Sequence, residues 1–268
     1  MLVYNNRPGN DATLLKQFSE PAWNNPVVRY LDAQGKDLIP RQDGIWTTVG
    51  TAERMVAALK SAGREIPEYL SLSVLAATAK TESATFAMHC YWEGEGLLGA
   101  LDGVYSTRSA WRDGLEVVNV NFDPGIVDYA ALLKTAQSLK CASRVFAHSD
   151  EQLKIAKQNV GEQAVLSSDK QNARDAQDSD QKYYLRQTPL VHLPLTEFQA
   201  TKINAALKGQ TPYAVWLSQR QNDLLVRIIN ANKIKPSAFA GLVYSGNAAE
   251  FSGYWQQVEA RLESLGGK

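Results

Sequence analysis

The spacing of apolar positions changes period several times along the chain, and each change marks an element. Leu2-Val3-Tyr4 predicts a short strand stopping at Asn5-Asn6-Arg7-Pro8, and 11–18 predicts a short helix. Residues 26–31 alternate as a strand into the turn Asp32-Ala33-Gln34-Gly35, a second strand is expected over 37–46, and 48–62 repeats at helical spacing with Gly63 just past its end. A helix of small residues covers 71–80. Strand 84–89, helix 92–101 and strand 104–111 follow, then the turn Asp113-Gly114 and strand Leu115–Phe122. Asp123-Pro124-Gly125 breaks the chain before helix 127–139 and strand 143–148. Ser149-Asp150-Glu151-Gln152 reads as a capping box opening a helix to Val160, 164–166 as a short strand and 169–180 as a polar loop. Helices are expected over 195–207, from Leu217 past Ile229, and over 251–265.

The order across 84–148 is β-α-β-β-α-β, the split βαβ or ferredoxin-like arrangement. Right-handed crossovers then predict an antiparallel sheet in the spatial order fourth, first, third, second. The expected class is α/β of the α+β kind. The segment ahead of this unit, β-α-β-β-α, resembles the second half of a thioredoxin fold, with Asn25-Pro26 at the cis-proline position. Three domains are expected: a partial thioredoxin-like segment over 1–68, the β-α-β-β-α-β domain over 69–190 and a helical extension over 191–268. Half a thioredoxin fold leaves its own sheet uncovered, so 1–68 is expected to dock on the rest of the chain or on a second copy.

Composition narrows the function. Basic and acidic residues number 28 each in a chain of 268, so no net field draws in nucleic acid or an anionic membrane. The two cysteines make no disulfide scaffold and, without a CxxC pair or a His/Cys cluster, no zinc signature; no metal or cofactor is expected. The N-terminus has no charged region followed by an apolar core, and no apolar run reaches membrane-spanning length, so a soluble, cytoplasmic protein is expected.

The candidate chemistry centres on Cys90, where an apolar strand ends and a helix begins. There the helix dipole and unpaired N–H groups favour thiolate, the nucleophilic form of the thiol. In the expected sheet the first strand lies between the third and the fourth. Cys90 therefore meets Glu116, which opens the third strand, and Cys141, just ahead of the fourth, while Trp111 ends the second strand at the same edge. Glu116 shares the apolar face of its strand with Val118, Val120 and Phe122. Cys141 reads equally as packing among Leu139, Val145 and Phe146, and His148 and His192 read as structural.

These residues also carry a resemblance. Ala84-Thr85-Phe86-Ala87-Met88-His89-Cys90-Tyr91-Trp92-Glu93-Gly94-Glu95 resembles the A-T-F-A-G-G-C-F-W-G-x-E signature of peptide methionine sulfoxide reductase A. Leu101-Asp102-Gly103-Val104-Tyr105-Ser106-Thr107-Arg108 is similar to that family's P-G-V-x-S-T segment. Gly114 to Pro124 is similar to its H-A-E-x-V-x-V-x-Y-D-P strand, and Asp178 to Leu185 to its E-D-x-H-Q-x-Y-L, with Asp180 at the histidine. The similarity runs over about residues 84–185. The whole chain also resembles bacterial thioredoxin-like proteins of the VPGUxxT type, without the N-terminal half that holds that motif.

The resemblance implies reduction of methionine sulfoxide, S epimer, free or in protein. Cys90 is then the nucleophile, Glu116 the proton donor to the departing oxygen, and Tyr91 and Trp92, with Trp111, the apolar wall for the substrate methyl. Cys141 stands at the place of the family's second active-site tyrosine; because the fourth strand is expected to run beside the first, Cys141 should lie near Cys90 and is the expected resolving thiol, with thioredoxin or another thiol as the reductant. Met88 and His89 stand at the family's two glycines, and its Gly-Tyr-Cys-Gly recycling tail is not found. A binding or assembly module with a reductase-like pocket, and peroxide or disulfide exchange at Cys90, are the alternatives.

Overall fold

The amphipathic stretches of the N-terminal segment form helices, whereas the strands expected around them do not form. The computed structural model describes residues 2–21, 27–168, 172–244, 246 and 248–266, and the chain divides into two units, Met1–Ala77 and Thr78–Lys268. In the first unit α1 spans Asn10–Gln17 and α2 Thr48–Ser61, and α3, Glu68–Thr78, ends one residue past its boundary. Thr47 caps α2 by accepting the Gly50 N–H at 3.0 Å.

Among the described residues of this unit the only β pairing is the bridge between Leu31 and Asp37. This corrects the strands expected at 2–4, 26–31 and 37–46 and the β-α-β-β-α order built on them. The cause is local side-chain bonding, which competes with an extended ladder. Asp32 Oδ1 accepts the N–H groups of Gln34 and Lys36, each at 2.9 Å, and closes the turn on itself. Arg29 is tied to Glu20, to Asp37 and to the Phe18 carbonyl. Asn25-Pro26 lies outside the described residues.

The second unit is built on one sheet of six strands: β1 Glu82–Ala87, β2 Val104–Arg112, β3 Leu115–Phe122, β4 Arg144–Ala147, β5 Ala164–Leu166 and β6 Arg174–Asp175. Their order is β5-β4-β1-β3-β2-β6, so the central four stand fourth, first, third, second. These four pair antiparallel and β5 is parallel to β4, which makes the sheet mixed and the class α+β. Edge strand β6 falls within the stretch expected as a loop; its two residues pair with Ala110 and Trp111. Asp113 and Gly114 both take positive φ, 51° and 77°, as the two-residue hairpin between β2 and β3 requires.

Helices α4 (Tyr91–Gly99), α5 (Tyr129–Ser138) and α6 (Asp150–Val160) belong to the same unit, as do α7 (Tyr183–Arg186), α8 (Glu197–Gly209), α9 (Gln219–Ile234) and α10 (Phe251–Ser264). Ala84, Phe86 and Met88 share a buried cluster with Val118, Val120 and Phe122 of β3, Leu98 of α4 and Leu132 and Leu133 of α5. Each fully buried side chain of that size contributes about 1.5–3 kcal/mol relative to exposure, which anchors the end of β1 beneath α4.

A second cluster joins Leu185, Ile203, Leu224, Ile228 and Val258 from the C-terminal helices. Both α8 and α9 open with complete capping boxes, Thr196 with Gln199 and Ser218 with Gln221. Helix α8 lies against α4 where glycines leave room: a Cβ at Gly99 would meet Thr201 Cγ2 at 3.1 Å. Among the described residues no helix is long and apolar enough to cross a membrane.

Candidate active site

Both neighbours of β1 hold its end in place. The Met88 N–H donates to the Glu116 carbonyl at 3.0 Å, and the Ala87 carbonyl accepts both the N–H and the hydroxyl of Ser143 at 2.9 Å. The chain then turns into α4 with Cys90 as its N-cap, in extended backbone, half-buried and making no side-chain capping bond. Met88, where the resemblance places a glycine, is buried beneath this helix. It fits because residue 94 is glycine: a Cβ there would lie 1.8 Å from Met88 Sδ.

Glu116 reaches this helix start. Its Oε2 accepts the Tyr91 N–H at 2.8 Å, and among the described residues Oε1 has no hydrogen-bond partner. A carboxyl at that place complements the positive end of α4. Trp111 stands opposite Glu116 in the β2–β3 ladder, and the Tyr91 ring meets it edge-on with centroids 5.7 Å apart. The Tyr91 hydroxyl donates to Asp180 Oδ2 at 3.1 Å. Burial, then the bond to Asp180, pushes that phenol up to about 12, so it stays protonated at neutral pH.

Trp92 stacks on Tyr183 with centroids 4.1 Å apart and planes 13° from parallel, its indole N–H buried with no acceptor among the described residues. Cys141 is buried, and its thiol donates to the Leu139 carbonyl at 3.4 Å. Burial first, then the charges of Glu93 and Cys90, push it up to about 11. Tyr91, Cys141, Tyr184 and Lys208 all lie within electrostatic reach of Cys90.

Beside the site runs a buried polar network. Glu95 of α4, fully buried, accepts from the backbone N–H of Lys182 at 2.7 Å and from its ammonium at 3.0 Å. The same ammonium pairs with Glu197 and bonds the Thr107 carbonyl. Burial pulls Lys182 down, but Glu95 and Glu197 outweigh it and raise it overall. The network ties α4 to β2, α7 and α8.

Cys90, Tyr91, Glu116 and Trp111 thus meet at one end of the central strands, Cys141 is within electrostatic reach of Cys90, and Trp92 turns toward α7. Sequence reasoning missed the parts that Asp180, Tyr183, Tyr184 and Lys208 play around them. The motif-like run from Asp178 to Leu185 was the available signal for the first three; Lys208 had none. Among the described residues no group of three or more His, Cys, Asp or Glu is placed to hold a metal. His148 Nε2 sits 2.8 Å from the Thr85 hydroxyl, and His192 Nδ1 2.7 Å from the Leu242 carbonyl.

No family model matches the chain. It is 31% identical to peptide methionine sulfoxide reductase MsrA of Methanothermobacter thermautotrophicus, over 29% of this chain and 65% of that protein. It is 29% identical to MsrA of Nitrobacter winogradskyi, over 32% of this chain and 63% of the relative. With the peptide methionine sulfoxide reductase of Drosophila melanogaster the identity is 26%, over 47% and 68%. The first two matches span less than two thirds of those proteins' own lengths. The chain carries a domain like peptide methionine sulfoxide reductase A.

Proposed function

We propose that the second unit is a thiol-dependent reductase of methionine sulfoxide, acting on the S epimer, with Cys90 as nucleophile. The observation that carries this reading is the placement of Cys90 at the N-cap of α4 while Glu116 holds the adjacent Tyr91 N–H through Oε2, its Oε1 having no hydrogen-bond partner among the described residues. The ferredoxin-like strand order is the scaffold: of the expected domain over 69–190, the part from Thr78 onward forms the reductase-like domain, and 191–268 its helical extension.

In the reaction the Cys90 thiolate attacks the sulfoxide sulfur. The oxygen passes to Cys90 as a sulfenic acid, the substrate sulfur gains two electrons as the thiolate sulfur loses two, and one proton is taken up. Glu116 delivers that proton to the oxygen through Oε1. Tyr91, Trp92 and Trp111 form the wall for the substrate methyl. Turnover with S and R methionine sulfoxide under dithiothreitol tests the reading: methionine is expected from the S epimer alone. Binding of either epimer without turnover would make the site a recognition pocket.

Cys141 is the proposed resolving thiol. Its attack on the Cys90 sulfenic acid forms the disulfide and releases water, and thioredoxin or another dithiol then reduces it. With its thiol pushed up to about 11, Cys141 attacks slowly at neutral pH, and disulfide formation is expected to quicken roughly tenfold per pH unit below that value. Mass spectrometry after stoichiometric sulfoxide should find a trappable Cys90 sulfenic acid at neutral pH and the Cys90–Cys141 disulfide at alkaline pH. Cys141→Ser should hold the sulfenic acid at both. A free Cys141 thiol at alkaline pH, with Cys90 oxidised, would leave Cys141 as packing.

A further inference from the structure

Helix α8 lays a cation across the first turn of the helix that carries Cys90, and the chemistry above does not use it. Lys208 Nζ donates to Glu93 Oε1 at 3.2 Å and lies 5.8 Å from the centre of the Tyr184 ring. Its stem crosses α4 over Gly96, where a Cβ would stand 2.6 Å from Lys208 Cγ and 2.7 Å from its Cβ. No side chain at 96 would leave the lysine this path without displacing it.

Glu93 is the third residue of the helix that Cys90 caps. Side chains at the N-cap and at that third position face one another across the first turn, the geometry that makes capping boxes. A carboxylate there opposes a thiolate on Cys90, and its charge is felt as far as Cys141.

The titratable groups facing Cys90 are Tyr91 and Glu93 of α4, Glu116 of β3, Cys141 ahead of β4, Tyr184 of α7 and Lys208 of α8. His89, next to it in the chain, is exposed. Tyr91, Cys141 and Tyr184 are all raised, chiefly by burial, and so uncharged at neutral pH. Lys208 is raised, by its bond to Glu93 first and then by Tyr184, and keeps its proton.

We propose that Lys208 is a positioning residue for the nucleophile: by pairing with Glu93 it cancels the negative charge that faces Cys90 across the first turn of α4, and so keeps the thiol reactive. The proposal rests on Cys90 being a reactive thiol and not on what that thiol reduces. It gives the C-terminal extension a part in the chemistry, since α8 supplies the charge.

The test is the rate of iodoacetamide alkylation of Cys90 across pH, followed by mass spectrometry in the full chain carrying Cys141→Ser. Lys208→Met keeps the stem that fills the space over Gly96. It is expected to slow alkylation about three- to tenfold at neutral pH and not at all once the solution is alkaline enough to ionise every thiol. Lys208→Arg should keep the parental profile, and Glu93→Gln added to Lys208→Met should recover most of the lost rate. A Lys208→Met profile that overlays the parent, or one lowered equally at every pH, overturns the proposal. Sulfoxide turnover measured in parallel separates this outcome from failure of the reductase reading, because alkylation needs no sulfoxide.

Discussion

Cys90→Ser is expected to bring sulfoxide reduction down to the uncatalysed level without harm to the fold. A hydroxyl cannot take the sulfoxide oxygen: attack through oxygen offers no counterpart to the sulfenic acid, so the oxygen has no acceptor and the thioether does not leave. The fold should hold for a reason particular to this position. Cys90 caps α4 without making a capping bond, whereas serine is among the favoured N-cap residues and such a cap is worth about 0.5–2 kcal/mol. Serine also leaves the Tyr91 N–H with Glu116. The expected result is a melting temperature equal to or above the parent's, and no methionine formed when protein and sulfoxide are mixed at equal amounts without reductant. Parental yield from the serine variant would remove Cys90 from the chemistry.

How much of this site shows in the sequence depends on how local its contacts are. The ends of β3 were legible to the residue because alternation, a two-residue turn before it and Asp123-Pro124 after it all act within a few positions. The strand order followed from that local reading, because short connections and crossover handedness leave few sheets to choose among. It placed Glu116 and the start of β4 on either side of β1.

The N-terminal strands failed where a polar side chain offered the backbone a nearer partner. Asp32 and Arg29 satisfy the turn and its flanks, and apolar alternation over 26–31 carries no trace of that competition. Lys208 over Gly96 was illegible for another reason. The contact joins residues more than a hundred positions apart, and nothing in either segment's own pattern points to the other. Gly94 and Met88 are intermediate. The methionine looks out of place ahead of Cys90 until the glycine six residues later is seen to receive it.

Glu116→Gln is expected to lower the rate of sulfoxide reduction by about 10²–10⁴-fold, the usual worth of a positioned acid, with a small effect on stability. The hydrogen bonding explains both halves. Glu116 uses Oε2 to accept the Tyr91 N–H, and an amide oxygen can accept the same bond, so the helix start stays in place. The variant's amide nitrogen then occupies the position of Oε1, which in the parent has no partner among the described residues. An amide donates a hydrogen bond to the sulfoxide oxygen but does not give up its proton, so the oxygen is polarised and not protonated as it moves to Cys90. Binding should therefore change little while the chemical step slows, giving a fall in kcat with KM nearly unchanged. Alkylation of Cys90 at neutral pH separates this role from a structural one: with the helix start intact and one carboxyl fewer facing it, the thiol should react with iodoacetamide at least as fast as in the parent. A rate within a few-fold of the parent's would mean that the proton comes from elsewhere, and a raised KM with kcat preserved would make Glu116 a substrate-binding group.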